Sequence, residues 1–178
     1  MHKNPRLQIK TIAMIAKELV QSLSASTRAW RERALQSLME NGCKDLSHRP
    51  GTGMSAFGWL LAHQAAAYDY TLNMLIKGGE PRNPDLFYSY RGDSSDDGNW
   101  KGTSLMEISD YYDLVESDFL RYFEQASDEE LKRILEGANT PNYYQGKRVI
   151  DAITDMFAHI NHHNGHLSAI KGDWCRRT

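Results

Sequence analysis

Four of the seven histidines in this 178-residue chain fall within eight residues. The stretch reads Asp155-Met156-Phe157-Ala158-His159-Ile160-Asn161-His162-His163-Asn164-Gly165-His166-Leu167. His159 and His163 stand four apart, as do His162 and His166. On a helix that spacing places two side chains one turn apart on one face, where both imidazoles can reach a single ion. A helical wheel at about 100° per residue separates the two pairs. The apolar arc is centred on Val149, Ile153, Met156, Ile160 and Leu167. His163 falls just inside one edge of the arc, and His159 lies about 40° further round, by Ala152. His166 lies further out and His162 is outermost, so the inward pair is His159 and His163. Two neutral imidazoles at a core edge are costly to bury unless their ring nitrogens find partners, and a divalent ion satisfies one nitrogen of each. The competing explanation is a polar stripe of surface histidines.

A third ligand has to come from elsewhere in the chain. His2 is close to the N-terminus, and His48 lies in the turn-like stretch Asp45-Leu46-Ser47-His48-Arg49-Pro50. His63 lies in Gly58-Trp59-Leu60-Leu61-Ala62-His63-Gln64, inside a segment that is apolar on two faces. One face carries Phe57, Leu61, Tyr68, Leu72 and Leu75; the other carries His63 with Trp59, Ala66, Ala67, Tyr70 and Met74. Only a narrow strip near Asp69 and Asn73 is polar, so His63 is expected to be buried. A lone buried histidine is ordinarily a hydrogen-bonded core residue. The pair on the last helix, which lacks a third partner, makes His63 a candidate ligand. Three protein nitrogens leave an open position, the mark of a catalytic rather than a structural metal site. Asp155, one turn before His159, is a candidate carboxylate to orient that ring, with a solvated helix carboxylate as the alternative. No general base stands out. Zinc and nickel both suit imidazole ligands.

Positioning these residues requires helices. Proline is scarce, with five in the chain, and apolar residues recur at three- and four-residue steps in four places. The first segment runs from about Leu7 to Glu40, with Ser22-Leu23-Ser24-Ala25-Ser26 marking either a kink or a break into two helices with Ser26 as second N-cap. Its basic residues, Arg28, Arg31 and Arg33 among them, read as a solvated face. A second helix spans about Ser55 to Lys77, ended by Gly78-Gly79 and Pro81. A third spans about Ser104 to Gln125. Ser127 and Glu130 have capping-box spacing and open a short helix through Leu135. The last helix spans about Gly146 to Ile170, with Gly172 near its end. The connection from Gly78 to Thr103 exceeds the ~2–8 residues usual between bundle helices, which suggests a crossover or a flap. Its acidic run, Asp93 to Asp97, reads as a solvated loop. The expected fold is all-α, a four-helix bundle over residues 1–178 as one domain, the architecture in which ligand sites form from inward side chains of facing helices.

Composition sets limits on function. Lys and Arg number 21 against 23 Asp and Glu, a formal charge of -2. Such a chain lacks the broad positive field of a nucleic-acid binder, and no helix-turn-helix pattern or basic aromatic patch is evident. No apolar stretch approaches the ~20 residues that span a bilayer, and the N-terminus carries no secretory signal pattern. Cys43 and Cys175 read as two reduced thiols, so a cytoplasmic location is expected. A second helix apolar on two faces suggests a homodimer, because one bundle core does not readily bury both.

The order Trp59-Leu60-Leu61-Ala62-His63, then His159-Ile160-Asn161-His162-His163-Asn164-Gly165-His166, resembles the DinB-like family, also called YfiT-like metalloenzymes. The approach Arg49-Pro50-Gly51-Thr52-Gly53-Met54-Ser55 and the Ser127-Asp128-Glu129-Glu130-Leu131 region also fit, and the likeness extends from about Ala25 onward. The resemblance implies a helical bundle whose divalent metal is held by three histidines, here His63, His159 and His163. His166 departs from the usual Gln, and Ile160 stands where an acidic residue often follows the first His. Some family members are S-transferases or isomerases using low-molecular-weight thiols. The expected function is therefore metal-dependent thiol transfer to a small-molecule substrate. The alternatives are a hydrolase acting through a metal-bound water and a non-catalytic, metal-binding dimeric module.

Overall fold

The first 36-residue helix, α1 (Pro5–Glu40), runs unbroken through the serine-rich stretch that sequence reading marks as a kink or a break. The computed structural model describes residues 5–92, 100, 102–138 and 140–177, with side chains from residue 17 onward. Serine and threonine are weak helix formers, yet packing overrides propensity here. Ser24 and Thr27 are buried, and these small residues let α1 approach the last helix, α6 (Val149–Arg177). Asn161 Nδ2 donates to Thr27 Oγ1 at 3.0 Å, and Asn164 Nδ2 donates to the Thr27 carbonyl at 3.2 Å. Arg31 does not belong to the solvated face expected of this helix. It is buried, bonded to Glu116 at 3.2 Å and lying 3.7 Å over the Tyr112 ring.

The second helix, α2 (Phe57–Asp69), continues in a wider π-helical register from Tyr70 to Ile76. Gly78, at φ +67°, closes this segment in a left-handed conformation that glycine adopts without strain. The register changes beside Asp69, whose carboxylate is fully buried and fully engaged. It accepts from the backbone N–H of Arg82 at 2.8 Å, from Asn73 Nδ2 at 2.8 Å and from the Tyr111 hydroxyl at 2.7 Å. The returning loop is thereby tied to the middle of the helix it has just left.

The long connection contains a helix of its own, α3 (Pro84–Tyr90), capped by Asn83, which accepts from the Leu86 N–H. It packs on α2. The acidic run from Asp93 to Asp97 lies outside the described residues. The third long helix, α4 (Leu105–Gln125), starts with a complete Ser104–Glu107 capping box. Next comes α5 (Asp128–Lys132), shorter than expected. Ser127 caps it, but the Glu130 carboxylate is taken by the Tyr122 hydroxyl at 2.6 Å and Arg133 at 2.8 Å instead of closing the box. An antiparallel bridge between Ile134 and Arg148 leads into α6. That helix continues past Gly172 to Arg177 because its tail has partners: Trp174 Nε1 donates to the Asn41 carbonyl at 2.9 Å, and His48 meets Asp173 at 3.2 Å.

The architecture is an all-α bundle. Helix α2 sits at its centre, against α3, α4 and α6. Every residue of α2 except Ala67 is buried. One apolar cluster gathers around Tyr68, Phe119 and Phe157; a second gathers around Phe57, Leu60, Leu38 and Ile170. The face with Phe57, Leu61, Tyr68, Leu72 and Leu75 is buried, whereas Ala67, Tyr70 and Met74 on the other face are half-buried.

Asp69→Ala removes the acceptor of a buried loop amide and a buried hydroxyl. We expect a loss of about 2–4 kcal/mol in denaturant unfolding, from at least two unmet donors at about 1–3 kcal/mol each. Hydrogen exchange at the Arg82 and Asn83 amides is expected to quicken more than at α4 amides; equal protection in the variant would contradict the tether.

Candidate metal centre

Helix α2 presents Trp59 and His63 one turn apart on the same face. Their rings stack at 4.4 Å between centroids and 13° between planes. The indole therefore fixes the plane of the imidazole. The tautomer is decided by a backbone group 27 residues away: His63 Nδ1 meets the Tyr90 carbonyl at 2.7 Å. A carbonyl only accepts, so Nδ1 carries the hydrogen and Nε2 of the neutral ring holds a lone pair. Tyr90 ends α3 and is itself held, its hydroxyl 2.5 Å from Thr103 Oγ1 and its ring stacked with Trp100.

That lone pair points at α6. His63 Nε2 lies 2.9 Å from His159 Nε2. The His163 ring centroid is 4.8 Å from that of His63 and 4.5 Å from that of His159. One candidate ligand nitrogen from each of the three rings lies within 4.8 Å of the others. His63 and His163 are buried, whereas His159 is exposed at the rim. Both ring nitrogens of His163 are buried without any hydrogen-bond partner. Each unmet buried nitrogen costs about 1–3 kcal/mol, so the site is polar and unsatisfied.

Burial keeps these rings neutral. Desolvation pulls His63 down to about 4, against the Tyr90 carbonyl, which favours the charged form. Desolvation, reinforced by the surrounding imidazoles, pulls His163 down to about 2. Burial also lowers His159. Neutral rings can each offer one nitrogen lone pair, which is what a divalent transition ion requires; without an ion, His159 Nε2–H donates to the His63 Nε2 lone pair at 2.9 Å. The residues present fit such an ion on that ground, on the His63 tautomer and on the orphaned nitrogens of His163.

The remaining expectations fall differently. The Asp155 carboxylate accepts from Lys147 Nζ at 2.8 Å, and the group seen to orient a ring of the triad is the Tyr90 carbonyl on His63. No side-chain pattern reveals that contact, because the acceptor is main chain from a helix inside a long connection. His48 is engaged with Asp173, away from the triad, and His2 lies outside the described residues. His162 is exposed, but His166 is half-buried and His159 exposed, the reverse of the order the wheel gives those two, because neighbouring elements cover His166 more than the helix's own periodicity indicates; with His163, His162 and His166 form a second group of nitrogens within 4.8 Å.

A cavity of about 330 Å³ opens beside the triad, its lining including His63 and His159, the apolar walls Ala66, Met74 and Phe87, and Arg91. A second, of about 350 Å³, lies against His159 and Ala67 from the side of Tyr143, Tyr144 and Asp155.

Residues 18–167 match the model of the DinB superfamily. The chain belongs to the DinB superfamily. A crystal structure of a conserved protein from Enterococcus faecalis is similar to it, with a TM-score of 0.63 and 15% identity over 85% of this chain and 94% of that one. At that identity the likeness concerns the fold, here the DinB arrangement of long helices. No curated protein matches the chain. No helix among the described residues of this DinB-superfamily protein is long and apolar enough to cross a membrane.

The depressed values of His63 and His163 fix a pH dependence for the metal-free protein. An unfolded histidine titrates near 6.5, so between there and about 4 the unfolded chain holds more protons than the folded one. Stability is complete above pH 6.5 and falls on acidification, by about 1.4 kcal/mol per pH unit for each such ring. Thermal unfolding of chelator-treated protein from pH 7.5 to 5 is expected to show the decline, shallower in His163→Leu; identical slopes in both would contradict the assignment.

Proposed function

We propose that His63, His159 and His163 hold a divalent transition-metal ion, zinc or nickel by ligand type, and that the site transfers a low-molecular-weight thiol to a small electrophilic substrate. The observation that carries the reading is the His63 Nε2 lone pair, fixed by the Tyr90 carbonyl, facing the other two imidazoles at the edge of an apolar cavity. Bound there, the ion would supply Lewis acidity, which favours the ionised form of a thiol near neutral pH.

The chain's own groups do the rest. Trp59 and Tyr90 hold the His63 ring in plane and tautomer. Ala66, Met74 and Phe87 give the cavity apolar walls that suit an apolar electrophile. Arg91 lines the same cavity and supplies positive charge toward an anionic group on either substrate. The hydrolytic alternative would draw on the Asp155 carboxylate, which lines the second cavity together with His159. In the transfer, sulfur loses its proton, forms a bond to the electrophilic carbon, and the leaving group departs with the electron pair.

Elemental analysis of protein purified in the presence of zinc or nickel tests the ligand set. His63→Ala, His159→Ala and His163→Ala should each lose most of the tightly held metal, while His162→Ala keeps it. Loss in His162→Ala with retention in His159→Ala would place the ion on the other face of α6. Thiol-dependent consumption of a model electrophile by the loaded protein is the expected activity, and consumption independent of thiol would overturn transfer in favour of hydrolysis.

A further inference from the structure

The inner triad leaves two histidines of α6 unused. His162 and His166 are one turn apart, with ring centroids at 4.5 Å. The His163 ring lies 5.3 Å from that of His162 and 5.5 Å from that of His166. One ring nitrogen of each falls within 4.8 Å of the others. His162 is exposed and His166 half-buried, so the group can be reached from solvent. His163 is the member that both groups claim, and its two nitrogens are the buried ones without partners.

We infer that His162, His163 and His166 form a second, outer site for a divalent transition-metal ion, which competes with the inner site for His163. The donor chemistry supports this. Three imidazoles suit zinc, copper and nickel far better than calcium or magnesium, which prefer oxygen. The helix itself sets the spacing of His162 and His166, so two of the three ligands are in place without any rearrangement. Competition follows from the ring's electronic structure. A neutral imidazole has one lone pair, because its other nitrogen carries the hydrogen. His163 therefore completes the outer set or the inner set, not both. An ion in the inner site leaves the outer one with the His162–His166 pair alone, which binds more weakly. An ion held at the outer site needs only a change of partner by His163 to face the buried His63 and the exposed His159.

Calorimetric titration with Ni²⁺ alone at pH 7.5 tests the inference. The double variant His63→Ala/His159→Ala lacks two inner ligands but retains all three outer ones. It is expected to bind one equivalent, and adding His162→Ala or His166→Gln should weaken that binding at least tenfold. Circular dichroism checks that each variant is folded. Binding that is absent from the folded double variant, or unchanged by both additional substitutions, would overturn the site. In the unsubstituted chain a second, weaker equivalent should follow the first and vanish in His166→Gln. That measurement stands even if the double variant fails to fold; a second event persisting in His166→Gln would overturn the inference. The shared ligand has its own readout. The outer site should be tighter in the double variant than in the metal-loaded native chain, and equal affinities would refute competition for His163. These outcomes are separable from the proposed function, because the double variant has lost the inner site altogether.

Discussion

The bond from His63 Nδ1 to the Tyr90 carbonyl is the constraint on which the site depends. A histidine buried in the middle of a helix has two ring nitrogens to satisfy and little to satisfy them with. Giving the hydrogen on one of them to a main-chain carbonyl settles which nitrogen keeps the lone pair, and so which direction the ring can ligate or accept. The carbonyl stays in place because α3 is capped by Asn83 and because its parent loop is bonded at Arg82 to the buried carboxylate of Asp69. Asp69 lies on the same helix as His63, six residues on. One helix therefore supplies the ring, and through its own carboxylate it anchors the loop that orients that ring.

The burial of α2 dictates how its polar groups are satisfied. With nearly all its residues inside, the helix has no solvated side to which a polar group could turn. Gln64, His63 and Asp69 are instead paired within the bundle. The Tyr112 hydroxyl donates to Gln64 Oε1 at 3.3 Å, while Gln64 Nε2 donates to Asn164 Oδ1 at 3.3 Å. Asn164 is next to His163, so this line of amides joins α4, α2, α6 and, through the Thr27 carbonyl, α1. Buried networks of this type are stabilising only when every member is satisfied. Exceptions are Trp59 Nε1 on α2 and the two nitrogens of His163, at the point where α2 and α6 face one another. An apolar side chain there would serve folding better, so the imidazole is best understood through what it can bind.

The surroundings of the triad differ on the two sides of His159. The cavity beside His63 is walled by alanine, methionine and phenylalanine, and its charge comes from Arg91. The cavity beyond Ala67 holds Tyr143, Tyr144 and Asp155, with Lys147 lying 3.4 Å over the Tyr143 ring and bonded to Asp155. An apolar side and a polar side thus meet at the exposed imidazole of His159. The exposure of His159 also gives the interior pair, His63 and His163, their contact with solvent.

The sequence by itself determined the helical class, the four long segments and the inward face of α6. These rest on local periodicity, which a one-dimensional pattern records. Spacing was enough to put His159 and His163 one turn apart beside His63, and the two apolar faces of the second helix were enough to bury His63; the exposure of His159 was not legible from the wheel. Tertiary structure alone decided the rest, because each remaining feature depends on atoms far apart in the chain or on main-chain groups that have no side-chain signature. The serine-rich stretch of α1 stays helical because α6 packs on it. The second helix widens to a π register where Asp69 binds a loop amide thirteen residues on. Asp155, adjacent to His159 on the wheel, is held by Lys147 from the preceding loop. The Tyr90 carbonyl reaches His63 only once α3 has folded back onto α2, and the double claim on His163 is visible only when both of its neighbourhoods exist in space.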